Sequence, residues 1–164
     1  SQCVINKNQN DLQYRLSWLK NAIEFSQDAT IIAVDPDNGI ANKFKKEEPK
    51  DIELLGFEDF ASKTKSGKYI FMDEIEAFYS VKSLKVLIVY HHLSRVTTHN
   101  NQINIIQTKL QKKFGKVLAV KHKPYSPRVY FFICKDELKY VELQESLRLF
   151  SSKFSVHWEF FLLG

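Results

Sequence analysis

A chain of 164 residues that is 44% apolar and 13% aromatic, with only 5 glycines and 4 prolines, can build a packed core and lacks the composition of a disordered protein. A net charge of +5 permits a polyanionic partner such as nucleic acid without demanding one, and two cysteines, Cys3 and Cys134, exclude a disulfide framework and a CxxC metal site. No apolar run reaches the ~18 residues of a membrane span and the polar start lacks the features of a signal peptide, so the expectation is one cytoplasmic α/β domain, residues 1–164, with no membrane partner.

Leu12, Leu16, Leu19 and Ile23 share one stripe and predict an amphipathic helix over 11–27, capped by Asn10 or Asp11. The apolar run Ile31-Ile32-Ala33-Val34 follows and stops at Asp35-Pro36-Asp37-Asn38-Gly39, which reads as a buried strand delivering carboxylates and an amide into a tight turn. Residues 42–68 are rich in charge and read as a long charged loop, with small apolar islands at 52–55 and 57–60. Asp73 and Glu76 suggest a capped helix start. A second buried strand, 85–90, runs into His91-His92-Leu93-Ser94-Arg95, repeating the pattern of apolar strand and polar tip.

A helix over 101–114 is closed by Gly115, and strands at 117–120 and 129–134 flank a connection with two prolines, which predicts an antiparallel pair. Asp136 caps a helix bearing Tyr140, Leu143, Leu147, Phe150 and Phe154 at helical spacing, before a last strand at 156–163. Strands and helices thus alternate. The expected fold is α/β and Rossmann-like, a mostly parallel sheet with helices on both faces and an antiparallel edge.

If the strands ending at Asp35 and Tyr90 are parallel neighbours, a right-handed crossover places both tips on one sheet edge, where open α/β folds bind ligands. Asp35, Asp37, His91 and His92 are then candidate catalytic groups, acting as general base and acid. Asp35 and Asp37, with Glu74 from the next helix, are candidate ligands for a divalent cation, Mg or Mn. Asn38, Arg95 and Arg128 are candidate substrate contacts, the arginines for phosphate. The basic stretch around Lys121, Lys123 and Tyr125 adds charge and one ring for stacking. Each has a plain structural alternative: the Asp-Pro-Asp-Asn-Gly run is a strong turn former by itself, the lysines suit a solvated face, and adjacent histidines on an extended strand point to opposite sides, so at most one enters the crevice. The motifs GxGxxG, GxxxxGK[ST], HExxH and GxSxG are all missing.

The segments Val34-Asp35-Pro36-Asp37-Asn38-Gly39, Lys68-Tyr69 with Asp73-Glu74, Tyr90-His91-His92 with Arg95, and Arg128-Val129-Tyr130-Phe131-Phe132, preceded by Arg15 and Trp18, resemble an uncharacterised bacterial and phage family with a DPDNG strand tip. That family is similar to the methyltransferase-like Rossmann superfamily, which implies that Asp35, Asp37 and Asn38 lie on the substrate side. The resemblance covers roughly residues 15 to 134. The family's amino-terminal, cofactor-binding half has no counterpart here, and no glycine-rich first turn is present for S-adenosylmethionine; the chain is either shortened or a reduced version that has lost the cofactor. The sequence therefore leads to an enzyme acting on a nucleic acid or nucleotide, with a non-catalytic phage or mobile-element module that engages protein or nucleic acid as the alternative. The apolar content also allows a homo-oligomer.

Overall fold

The computed structural model describes residues 11–45 and 51–162. Cys3, the charged residues 46–50 and Leu163 lie outside the described residues. Helix α1 (Leu12–Phe25) starts at Asp11, whose carboxylate accepts from the N–H groups of Gln13 and Tyr14 at 2.9 and 3.3 Å. Strand β1 (Ile31–Val34) follows, then β2 (Gly39–Ile40), β3 (Asn42–Phe44), β4 (Ile52–Leu54) and β5 (Tyr69–Ile70). Helix α2 (Met72–Tyr79), β6 (Val86–His92), α3 (His99–Phe114), β7 (Lys116–His122), β8 (Arg128–Cys134), α4 (Glu137–Lys153) and β9 (Trp158–Phe161) complete the chain.

The main sheet has five strands in the order β1-β6-β8-β7-β9. Strands β1 and β6 are parallel, with Ile31 opposite Val86 and Val34 opposite Val89. The pairs β6–β8, β8–β7 and β7–β9 are antiparallel, which corrects the expected mostly parallel sheet: the protein is α/β with a mixed sheet. The physical reason lies in strand placement. The short link between β7 and β8 can join only antiparallel neighbours, and β8 inserts between β6 and β7. Strands β6 and β7, joined through α3, still run the same way because both oppose β8; β8 and β9, joined through α4, do so because both oppose β7. The helical crossovers are those the alternation predicts, but two of them skip a position.

Alternate strand residues, including Leu87, Val89, Ala119, Val129, Phe131 and Ile133, form one core with Ile75 and Phe78 of α2 and Ile103, Ile106 and Leu110 of α3. Helix α4 lies on the opposite face over β7 and β9, where Phe150 meets Trp158 at 5.4 Å between ring centroids. Its apolar stripe is only partly covered: Phe150 and Phe154 remain exposed, and Ser151 is its one buried residue.

The described residues of this segment, 42–45 and 51–68, are not one long loop, and this is a second correction. Strands β3 and β4 pair antiparallel, and Phe57, Phe60 and Phe71 stack together over Ala41 and Leu55 in a small satellite core. The charges that hid this order from the sequence are paired at its surface. Lys45 and Lys109 hold Asp51 at 2.9 and 3.1 Å and pull its carboxyl down to about 2.

The start of α2 also differs from expectation. Its cap position is Phe71, and Glu74, three residues on, accepts the Phe71 N–H at 2.9 Å. Asp73 instead accepts the N–H of Phe57 at 2.7 Å. The other role of Glu74 is an ion pair with Arg15 of α1, Nε to Oε1 at 2.5 Å and Nη2 to Oε2 at 3.0 Å; Arg15 also donates to the Tyr69 carbonyl at 2.8 Å and lies over the Trp18 ring. Both charges are buried, at 3% and 0% exposure. Arg15, Trp18, Tyr69 and Glu74, scattered in sequence, are one fastening between α1, β5 and α2.

Candidate functional site

The parallel pairing of β1 and β6 brings the two polar tips to one sheet edge, as the spacing of apolar runs predicts. Beyond β1 the chain turns back at once, the Gly39 N–H donating to the Pro36 carbonyl at 3.1 Å. Gly39 has a φ of +87°, and a Cβ there would stand 2.5 Å from the Cα of His91 and 2.6 Å from its Nδ1. Glycine is required both for the backbone angle and for the approach of β2 to β6. That approach lets the Ile40 N–H donate to His91 Nδ1 at 3.0 Å.

The bond fixes the chemistry of His91. With Nδ1 accepting, the proton sits on Nε2, and among the described residues nothing accepts it. Burial, reinforced by His92 and Lys63, pushes the ring's pKa down to about 3, so it is neutral through the physiological range. His91 is 3% exposed and is one of the residues that line a pocket of about 250 Å³. This side chain is a fixed hydrogen-bond donor. It has neither the lone pair nor the pKa of a general base at neutral pH.

Lys63, Asn38, Asn42, His92, Ser94 and Gln102 supply the rest of the polar lining, with Tyr69, Phe44 and Ile52. No lining residue is acidic. Lys63 donates to the Asn42 carbonyl at 2.6 Å, rests 4.5 Å from the centre of the Tyr69 ring, and has its pKa lowered by burial. The Asn38 side-chain amide makes no hydrogen bond to the described residues, whereas Asn42 donates to the Ile40 carbonyl at 2.8 Å. Gln102 is consumed by structure: it receives the Ser94 N–H and hydroxyl and donates to the carbonyls of Ser94 and Thr97, fastening the loop after β6 to α3. The pocket thus presents one cation and neutral donors.

The structure distributes the remaining candidates around this pocket. Asp37 is exposed and pairs with Lys68 at 2.9 Å. Asp35 is exposed too, and both carboxylates are near enough to Tyr90 to act on its hydroxyl. Glu74 is held by Arg15 and Phe71 away from both, and among the described residues no group of three or more His, Cys, Asp and Glu is placed to hold a metal ion. Arg95 is exposed. Arg128 is half-buried, its Nε donating to the Ser126 carbonyl at 3.3 Å. Lys121 bonds Asn100 at 2.9 Å and Glu159 at 3.4 Å; Lys123 bonds the Ser155 carbonyl; Tyr125 has a φ of 57° and is fully exposed. As the alternation of an extended strand requires, His91 and His92 leave β6 on opposite faces, and His92 contacts Ser126 at 3.3 Å; yet both line the pocket, which corrects the expectation that at most one would, because His92 is the last residue of the strand and sits at the rim.

Lys63, Asn42, Ser94 and Gln102 were not singled out by sequence reasoning. Gln102 had a usable signal, a polar side chain on the same helical stripe as Ile106, while Lys63 is one lysine among many in its segment. No described helix is long and apolar enough to cross a membrane. Compared with protein-family models, curated proteins and solved structures, the chain finds no match.

Proposed function

We propose that the strand-tip pocket binds an anionic group, the phosphate of a nucleotide or nucleic acid, and that the protein works by binding rather than by proton transfer. The observation that carries this reading is the pairing of Lys63 with the fixed Nε2–H donor of His91 in a recess without a carboxylate. A half-buried cation and neutral donors suit an oxyanion and repel a metal ion. The lowered pKa of Lys63 supports the same reading, since an ammonium short of water gains most from an anionic ligand. Asn38, with its side-chain amide uncommitted, would complete the contacts. The exposed Asp35 and the Lys68-bound Asp37 would then edge the site and exclude ligands that carry further negative charge on that side.

The test is thermal unfolding with inorganic phosphate, pyrophosphate and a panel of nucleotides. A ligand at 100 times its Kd adds ~2.7 kcal/mol, a rise in Tm of roughly 5–11 °C for a protein of this size. Lys63→Gln should abolish the rise. If no phosphate compound stabilises the protein, or if Lys63→Gln responds as the wild type does, the reading is wrong.

A further inference from the structure

The face of the main sheet opposite the principal core carries a row of rings. The register sets His92, Arg128, His122 and Trp158 side by side at the sheet edge, with Tyr90 and Tyr130 in the next row behind them on the same face. Tyr90 and Tyr130 are 5.7 Å apart between ring centroids, Tyr130 and Trp158 are 6.2 Å apart, and Trp158 and His122 are 4.7 Å apart. Helix α4 covers the β7–β9 side of this face, so both tyrosines stay partly open, and beyond them Ile31 and Ala33 of β1 are exposed. Arg128 stands close enough to Tyr90 to act on its hydroxyl.

We propose that this face is a stacking track for single-stranded nucleic acid, with bases on Tyr90 and Tyr130 and the backbone held along Arg128 at the sheet edge. Rings with a basic rim are what a single strand needs, because every base has a stacking face while the phosphates need cations. Charge also sets the path. Asp35 and Asp37 lie toward β1, so the backbone follows the β6–β8–β7 side, where Arg128 supplies the cation between His92 and His122. His92 belongs to both surfaces, lining the phosphate pocket and ending the ring-bearing face, so one strand can engage both. The inference rests on the proposed phosphate reading only for that shared ligand; the stacking track itself is independent of Lys63.

The experiment is fluorescence anisotropy with labelled twelve-residue oligothymidylate and oligouridylate, with duplex DNA as competitor. Tyr90→Leu and Tyr130→Leu keep apolar bulk and should each weaken binding about 5- to 150-fold, the range expected for one lost base stack, while duplex competes poorly. Arg128→Gln should flatten the salt dependence by about one phosphate. A second measurement does not depend on those variants folding: in Trp18→Phe the sole tryptophan is Trp158, and a single strand should quench its emission. Trp18 Nε1 has no partner among the described residues, so that substitution leaves nothing unpaired. Single-strand binding that is lost in the tyrosine variants but survives Lys63→Gln supports the track even if the pocket reading fails. Equal binding by the tyrosine variants, equal affinity for duplex, unquenched Trp158, or a dimer that Tyr130→Leu dissolves would each overturn it.

Discussion

Replacing Arg15 by methionine tests the fastening that organises the site's supports. Arg15 and Glu74 are withdrawn from water, at 3% and 0% exposure, and Arg15 makes two bonds to the carboxylate and one of 2.8 Å to the Tyr69 carbonyl. Methionine fills similar space but leaves Glu74 as an uncompensated buried charge, its remaining donor being the Phe71 N–H. Removing one partner of such a pair costs ~3–5 kcal/mol. For a domain of this size each kcal/mol moves the Tm by about 2–4 °C, so a fall of roughly 6–20 °C is expected. Urea unfolding at pH 7, followed by tryptophan emission, gives the free energy directly. Glu74→Leu alone should be similarly damaging, and the double variant should be less destabilised than the two singles added, by about 2 kcal/mol or more, because neither charge is then stranded. The double variant will not recover fully, since Phe71 N–H and Tyr69 C=O lose their partners. A loss below about 1 kcal/mol for Arg15→Met, or strict additivity in the double, would refute the argument that a buried, mutually dependent pair joins α1 to α2.

Two glycines with nearly equal φ should respond differently to alanine. Gly39→Ala combines left-handed strain with backbone contact at His91 and should cost well over the ~1–2 kcal/mol of strain alone, whereas Gly115→Ala, with φ +89° and nothing within 4 Å, should cost only that strain; equal urea midpoints for the two would discredit the close approach of β2 to β6. His91 makes stability depend on pH. The folded ring titrates at about 3 and an unfolded one near 6.5, so between those values only the unfolded chain takes up this proton; the contribution is complete above 6.5 and is lost as pH falls, about 2 kcal/mol from pH 7 to pH 5. His99 and His122, also lowered by burial, act in the same direction. His91→Asn should remove its share, so wild type and variant converge as the pH drops; parallel midpoints would show that His91 is not held neutral.

Much of the fold could be read from apolar runs and caps. Asp11 and Asp136 cap α1 and α4 as expected, and the strand cores fall where β-branched residues cluster. Strand order could not be read this way, because β8 is as apolar as a central strand should be and nothing in its composition says that it enters between β6 and β7. The lobe formed by the described residues of 42–68 was hidden for another reason. Its core is a few rings contributed by separate segments, Phe57 and Phe60 meeting Phe71, which no periodicity within the segment records.

The site shows the same division. Residues that act through backbone geometry were visible: Gly39 stood in a turn signature, and the opposite directions of His91 and His92 follow from the two-residue period of a strand. Those that act through distant contacts were not. Glu74 read as a metal ligand because an acid at a helix start near two others suggests coordination, yet its partner, Arg15, is 59 residues away and holds it for structure. Lys63 reaches His91 from a segment whose charges all looked alike, and only burial distinguishes it. A carboxylate's role is decided by which cation the fold brings to it. Here the fold gives the sequence's most suggestive acids, Asp37 and Glu74, to Lys68 and Arg15, and leaves the pocket between them to a lysine and an uncharged imidazole. That exchange leaves the pocket without the carboxylates a metal ion needs and with the cation and donors that the proposed anion site requires.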